Sequence, residues 1–115
     1  MMEDRVETFI QAALSDIGVP VSQSPGDASA TTWITWRTVS GRELTASDVG
    51  TRVRHMFQVY AHTRGTASEH REVFFRAIEA LKAAGVRVFA WGPDERDPDT
   101  GISHIVCTCT WNQRS

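Results

Sequence analysis

The sequence predicts an α+β fold: a single layer of about four mainly antiparallel strands with two helices on one face, in the order α-β-β-α-β-β. Three observations carry this. Thr51 to His62 alternates, with Val53, His55, Phe57, Val59 and Ala61 on one side and Arg54, Met56, Gln58, Tyr60 and His62 on the other, the period of a strand. From Ala67 to Ala84 the period lengthens. Phe74, Ala77, Ile78, Leu81 and Ala84 recur at helical spacing, and Glu69, Arg71, Glu72, Arg76, Glu79 and Lys82 supply a wet opposite face. Val86, Val88 and Ala90, interleaved with Arg87, Phe89 and Trp91, then restore alternation.

Each boundary has a local cause. Thr66 followed by Glu69 predicts a capping box, because each side chain reaches a backbone donor that the first helical turn leaves unpaired. Gly85 ends the helix, since glycine adopts the left-handed conformation without a Cβ penalty. The right-handed crossover rule makes the strands on either side of this helix parallel. Inserting the last strand between them gives antiparallel pairs, with both helices on one face.

The remaining elements follow in order. Val6, Phe9, Ile10, Ala13, Leu14 and Ile17 form a helical stripe closed by Gly18 and Pro20, which predicts a first helix over Glu3 to Ile17. Ser22 to Ala30 is small and polar and reads as a connecting loop. Thr31 to Val39 is the first strand, and Ser40 to Gly50 joins it to the next by a connection too long for a tight hairpin. Gly92 to Gly101 is a second long, charged connection, and Ile102 to Trp111 the last strand. Trp33, Trp36, Tyr60 and Trp111 exceed what one modest core encloses, so some of this surface is expected to meet another subunit.

Composition narrows the function. The 115 residues, 41% hydrophobic, fit one domain spanning 1–115. A net charge of −2 and a pI near 6.0 argue against a dedicated nucleic-acid binder. No apolar run approaches the roughly 20 residues of a membrane span. Met1 to Arg5 shows no secretory signal, so synthesis in the cytoplasm and no membrane partner are expected. Cys107 and Cys109 share a strand face at a separation that suits a disulfide poorly, and read as reduced, buried small hydrophobes.

Candidate chemistry is sparse. His55 and His62 face opposite ways on one strand, as do His104 and Cys107, and His70 lies on a helix, so the ligand-type residues disperse and no metal is expected. The sequence holds no nucleophile elbow, P-loop, dinucleotide glycine triplet or H-E-x-x-H. Asp94, Glu95, Asp97 and Asp99 lie on a Pro/Gly loop with no apolar pocket in view to raise a carboxyl pKa. Neither enzyme activity nor a cofactor is expected. The charges that remain are Arg42, Glu43, Asp48, Arg52 and Arg54 about the first long loop, and Asp94, Glu95, Arg96, Asp97 and Asp99 on the second. Solvation accounts for such charges equally well, but length and charge together make these loops the expected oligomer or partner contacts.

The first helix, the strand ending "HMFQVYAHTRG", the helix "ASEHREVFFRAIEALKAAG", the strand "VRVFAWG" and the closing "DPDTGISHIVCTCTW" resemble, in order and spacing, the tail terminator or tail completion proteins of long-tailed bacteriophages and gene transfer agents. The resemblance runs from Val6 to Trp111, and its most telling part is the acidic D-x-D-T-G turn with the alternating strand behind it. It implies a virion structural protein of the tail neck: a ring, typically a hexamer, that caps the tail tube protein, stops polymerisation and meets the head-tail connector protein. DNA is then only passing cargo in the channel. The resemblance implies no catalysis and no cofactor. Another head-tail connector or minor virion protein is the alternative, and a small enzyme or ligand-binding domain the rival from another class.

Overall fold

A computed structural model describes residues 2–23, 30–39, 43–47, 50–92 and 94–114, and the side chains of 6–23, 30–39, 54–66, 68–92 and 94–112. Helix α1 is Met2–Ala13, and strands β1 (Val21–Gln23), β2 (Thr32–Thr38), β3 (Glu43–Ser47) and β4 (Gly50–Thr63) follow. Helix α2 (Ala67–Ala83) and strands β5 (Arg87–Trp91), β6 (Glu95–Arg96) and β7 (Ser103–Arg114) complete the order.

The sheet runs β1-β2-β4-β7-β5. β7 lies between β4 and β5 and is antiparallel to both, the arrangement expected from the crossover. Strand number departs from the expected four, because three short strands fill edges that the long ones leave open. β4 has 14 residues and β2 only 7, so β2 covers β4 from Phe57 to Thr63 and β3 pairs with the remainder, Glu43 opposite Arg54 and Ser47 opposite Gly50. β6 likewise covers the start of β7, with Glu95 opposite His104. Backbone groups along a long strand need partners, and these pairings supply them. β1 runs parallel to β2 and makes the sheet mixed. Gln11 ties α1 to this strand through a 3.1 Å bond from Nε2 to the Val21 carbonyl.

One face of the sheet meets both helices. Ile34, Trp36, Phe57, Val59, Ala61, Ile105, Cys107 and Cys109 pack in a single core with Val6, Ile10 and Leu14 of the first helical segment and Val73, Phe74, Ala77, Ile78 and Leu81 of α2. α1 ends at Ala13 rather than at the expected Ile17. The stripe is nonetheless buried through Leu14 and Ile17, because the chain tightens into three-residue turns (Ile17 N to Leu14 O, 3.2 Å) before Gly18 turns it away at φ 84°.

The C-terminal stop of α2 follows the sequence closely, and one half of the expected capping box is formed. Thr66 Oγ1 accepts from the Glu69 amide at 3.2 Å. At the other end Val86 N bonds Leu81 O at 2.9 Å and Gly85 N bonds Lys82 O at 3.0 Å, with Gly85 at φ 92°. That pair of bonds is a Schellman motif, and the buried Leu81 and Val86 provide its apolar contact.

The fold encloses more of the aromatic surface than expected, with Tyr60 left half-buried. Trp33 and Trp36 are buried, Trp111 is half-buried and stacked on Phe9 at 4.0 Å between centroids, and Trp36 faces the helices. Among the described side chains, the large apolar ones left exposed are Phe75, Phe89 and Trp91.

Candidate interaction surfaces

The molecule measures 51 × 25 × 23 Å, drawn out by its two long central strands. Their register places the two expected contact regions at opposite ends. Arg54 lies opposite Asn112 near one end of the sheet, and Glu95 lies opposite His104 near the other. Arg42 and Asp48 are outside the described residues; Glu43 and Arg52 are placed by backbone pairing in β3 and β4, and their side chains are outside the described ones. Arg54 is exposed, with Nε 3.4 Å from Asn112 Oδ1.

The 94–101 segment is a built hairpin tip. Asp97 N bonds Ile102 O at 2.9 Å, Gly101 N bonds Asp97 O at 2.8 Å, and Gly101 takes φ 73°, which only glycine adopts readily. Asp97 Oδ1 accepts from the Asp99 amide at 2.9 Å, an Asx turn that explains the first aspartate of the D-x-D-T-G stretch. Arg96 donates from its guanidinium to the Gly101 carbonyl at 3.0 Å and to the Gly65 carbonyl at 3.2 Å. Asp94 turns inward to His70, 3.0 Å from Nδ1, while His70 Nε2 donates to the Ala61 carbonyl at 2.7 Å. His70 is fully buried, so this bridge ties α2, β4 and the tip together. Of the five charges expected at this end, Glu95 and Asp99 are exposed and make no described side-chain contact beyond the turn, whereas Asp94, Arg96 and Asp97 hold it in shape.

The face of the sheet away from the helices carries a polar network. His62 Nε2 lies 2.8 Å from Thr35 Oγ1, stacks on Trp33 at 5.1 Å and on Tyr60 at 5.9 Å, and neighbours His104 at 6.4 Å. Burial, then the nearby His104 and His70, lower its pKa from 6.5 to about 4. Arg37 donates to Gln58 Oε1 at 2.9 Å and sits over the Tyr60 ring, and Arg64 sits over Trp33.

Cys107 and Cys109 are buried free thiols, with sulfurs in hydrogen-bond contact at 3.7 Å on the helix-facing side. The contact with Cys107 and burial push the Cys109 thiol far above its usual range. Among the described residues no group of three metal-type ligands converges. No helix among the described residues is long and apolar enough to cross a membrane.

Two surface features were not visible in the sequence. A bulge between Val88 and Ala90 places Trp91 opposite Cys107 on the helix side, whereas Arg87 lies opposite Thr110 on the open side. An apolar groove of about 580 Å³ also opens between the end of the first helical segment and α2, with Ile17, Phe75 and Ala80 in its lining.

A small α+β domain with a mixed sheet, internally tied tips and exposed apolar edges has the character of an assembly component. Comparison with known proteins makes the class specific. The profile of the family "Tail completion protein gp17" matches residues 9–114, and the chain belongs to this family. Membership makes it a phage-type tail completion protein, a structural component of a virion. The solved gp17 protein of bacteriophage SPP1 is similar in fold, with a TM-score of 0.54 and 20% identity over 100% of this chain and 95% of that one. A chain from the virion of a native gene transfer agent particle aligns with a TM-score of 0.47 and 12% identity over 92% of this chain and 84% of that one. No curated protein sequence matches significantly.

Proposed function

We propose that the chain is a tail terminator: copies form a hexameric ring on the head-proximal end of the tail tube, stop its polymerisation and join the tail to the head connector, with DNA passing through the channel. Family membership over 9–114 carries this reading. The elongated shape supports it, because a subunit 51 Å long with distinct ends offers one end to the tube and the other to the connector. Arg42, Glu43, Asp48, Arg52 and Arg54 serve one end, and the tip from Asp94 to Asp99 serves the other. Within the tip, Glu95 and Asp99 make the outward contacts, and Asp94, Arg96 and Asp97 hold them in position. Exposed charges of this kind select partner and register more than they add affinity.

Loss of the protein by a stop codon tests the role. The expected result is tails of uncontrolled length that fail to join heads; normal tails joined to full heads contradict it. Reversing Arg52 and Arg54 to glutamate is expected to leave the fold intact by circular dichroism and to reproduce the same defect. Normal infectious particles from that double variant would remove these arginines from the contact.

A further inference from the structure

Among the described residues, the large exposed apolar groups fall into two patches on different parts of the chain. The first is the free edge of β5, which pairs with β7 on one side only. Phe89 and Trp91 are 49% and 57% exposed there, beside an exposed Arg87. The bulge sets this strand out of regular register, so it is poorly suited to adding another strand by backbone pairing. What the edge presents is side chains: a cation and two aromatics, with Arg87 registered to one side of the sheet and Trp91 to the other. That is a wedge.

The second patch is the groove beside α2. Its floor includes Ile17, Ala80 and Phe75, the last 49% exposed. Asp16, Glu72 and Glu79 stand around it against a single Arg76, so its rim is acidic. No residue of β5 lines it, so the wedge and the groove of one copy are separate surfaces. One is aromatic and cationic, the other apolar and rimmed by carboxylates.

We propose that the β5 edge of one copy seats in the groove between α1 and α2 of the next, with Trp91 and Phe89 against Phe75 and Arg87 facing the acidic rim. The inference rests on the ring reading and names its lateral contact. Because two different patches meet, the interface is heterologous, and a heterologous contact closes into a ring when its rotation divides the circle. Each copy then uses both patches once, and all three exposed aromatics are covered. Buried aromatics of about 150–250 Å² each dominate such contacts, and an arginine beside them is a common companion. The two ends of the sheet remain free for axial partners.

Trp91 replaced by p-benzoylphenylalanine and irradiated in purified particles gives the direct test, with copies per particle counted by quantitative mass spectrometry. The expected product is a dimer of this chain whose cross-linked peptide comes from residues 72–80 or 13–17. With several copies present, adducts to another virion protein, to a different part of this chain, or none at all would overturn the contact and leave the ring standing. One copy or none per particle would overturn the ring itself. In parallel, Trp91→Ser and Phe75→Ser are each expected to lower the copies retained per particle roughly tenfold. Both positions are exposed, so the melting temperature is expected to stay near that of the parent; unchanged retention in both variants would also overturn the contact.

Discussion

The hairpin tip and the β5 edge lie next to one another in the chain and use their side chains in opposite ways. The tip is dense in charge, yet Asp94 is spent on a buried histidine, Arg96 on two carbonyls and Asp97 on a turn amide. The edge reads in sequence as an ordinary short strand, yet it leaves two large aromatics in water. The difference teaches that charge density in a loop is a poor guide to partner contact, because short polar side chains are also what a tight loop needs to satisfy its own backbone. Exposed aromatic surface is a better guide, since nothing among the described residues accounts for it.

If the tip is internal scaffolding, its residues fail by unfolding. His70→Ala is expected to be the most costly change, about 3 kcal/mol by denaturant melting, because it removes two bonds and empties the space of a fully buried imidazole. A loss well under that would mean the bridge adds little. Asp94→Ala removes one of the two bonds and is expected to cost about 1–2 kcal/mol. Exposed Glu95 and Asp99 provide the contrast on the same loop.

The open face supplies a pH test. His62 has its pKa lowered from 6.5 to about 4, so between those values the unfolded chain binds a proton that the folded chain rejects. Stability is therefore fully present above pH 6.5 and falls as pH drops through the window to about 4. The ring is partly open to solvent, so the loss is on the order of 1 kcal/mol rather than the full value of the shift. His62→Gln is expected to flatten this dependence, and an unchanged slope would assign it to another group. Smallest of all, Glu95→Gln and Asp99→Asn are expected to shift stability by no more than about 0.5 kcal/mol while weakening joining of heads to tails. A large loss of stability in either would erase the distinction between the tip's inner and outer charges.

How much was legible follows from what pattern can encode. β4, α2, β5 and β7 were readable because their periods are long and clean, and the placement of β7 between β4 and β5 followed from crossover handedness. Helix α2 was readable down to its N-cap threonine and its closing glycine, since Thr66 and Gly85 each have one local use there, although the return bond from the Glu69 side chain is not among the described contacts. β3 was not. Its sequence, Glu-Leu-Thr-Ala-Ser, has little strand preference, and it forms because β4 outruns β2 and leaves an edge to be paired. β1 has three residues, too few for any period to show. The bulge in β5 was equally invisible, because alternation predicts that Arg87, Phe89 and Trp91 share a side whereas one extra residue sends Trp91 to the other register. Alternation assigned Trp33 and Trp36 to opposite faces but did not show that both would be covered.

Family membership defines the class of protein; the ring is the central claim that goes beyond it. A reconstruction of the assembled particle at the neck, resolved well enough to trace strands, tests it most directly. Six copies are expected in a closed ring on the last layer of the tail tube, each with its β5 edge against α1 and α2 of the neighbour and the ends of its long strands facing the tube and the connector. A single copy, or a ring located elsewhere in the virion, would contradict it.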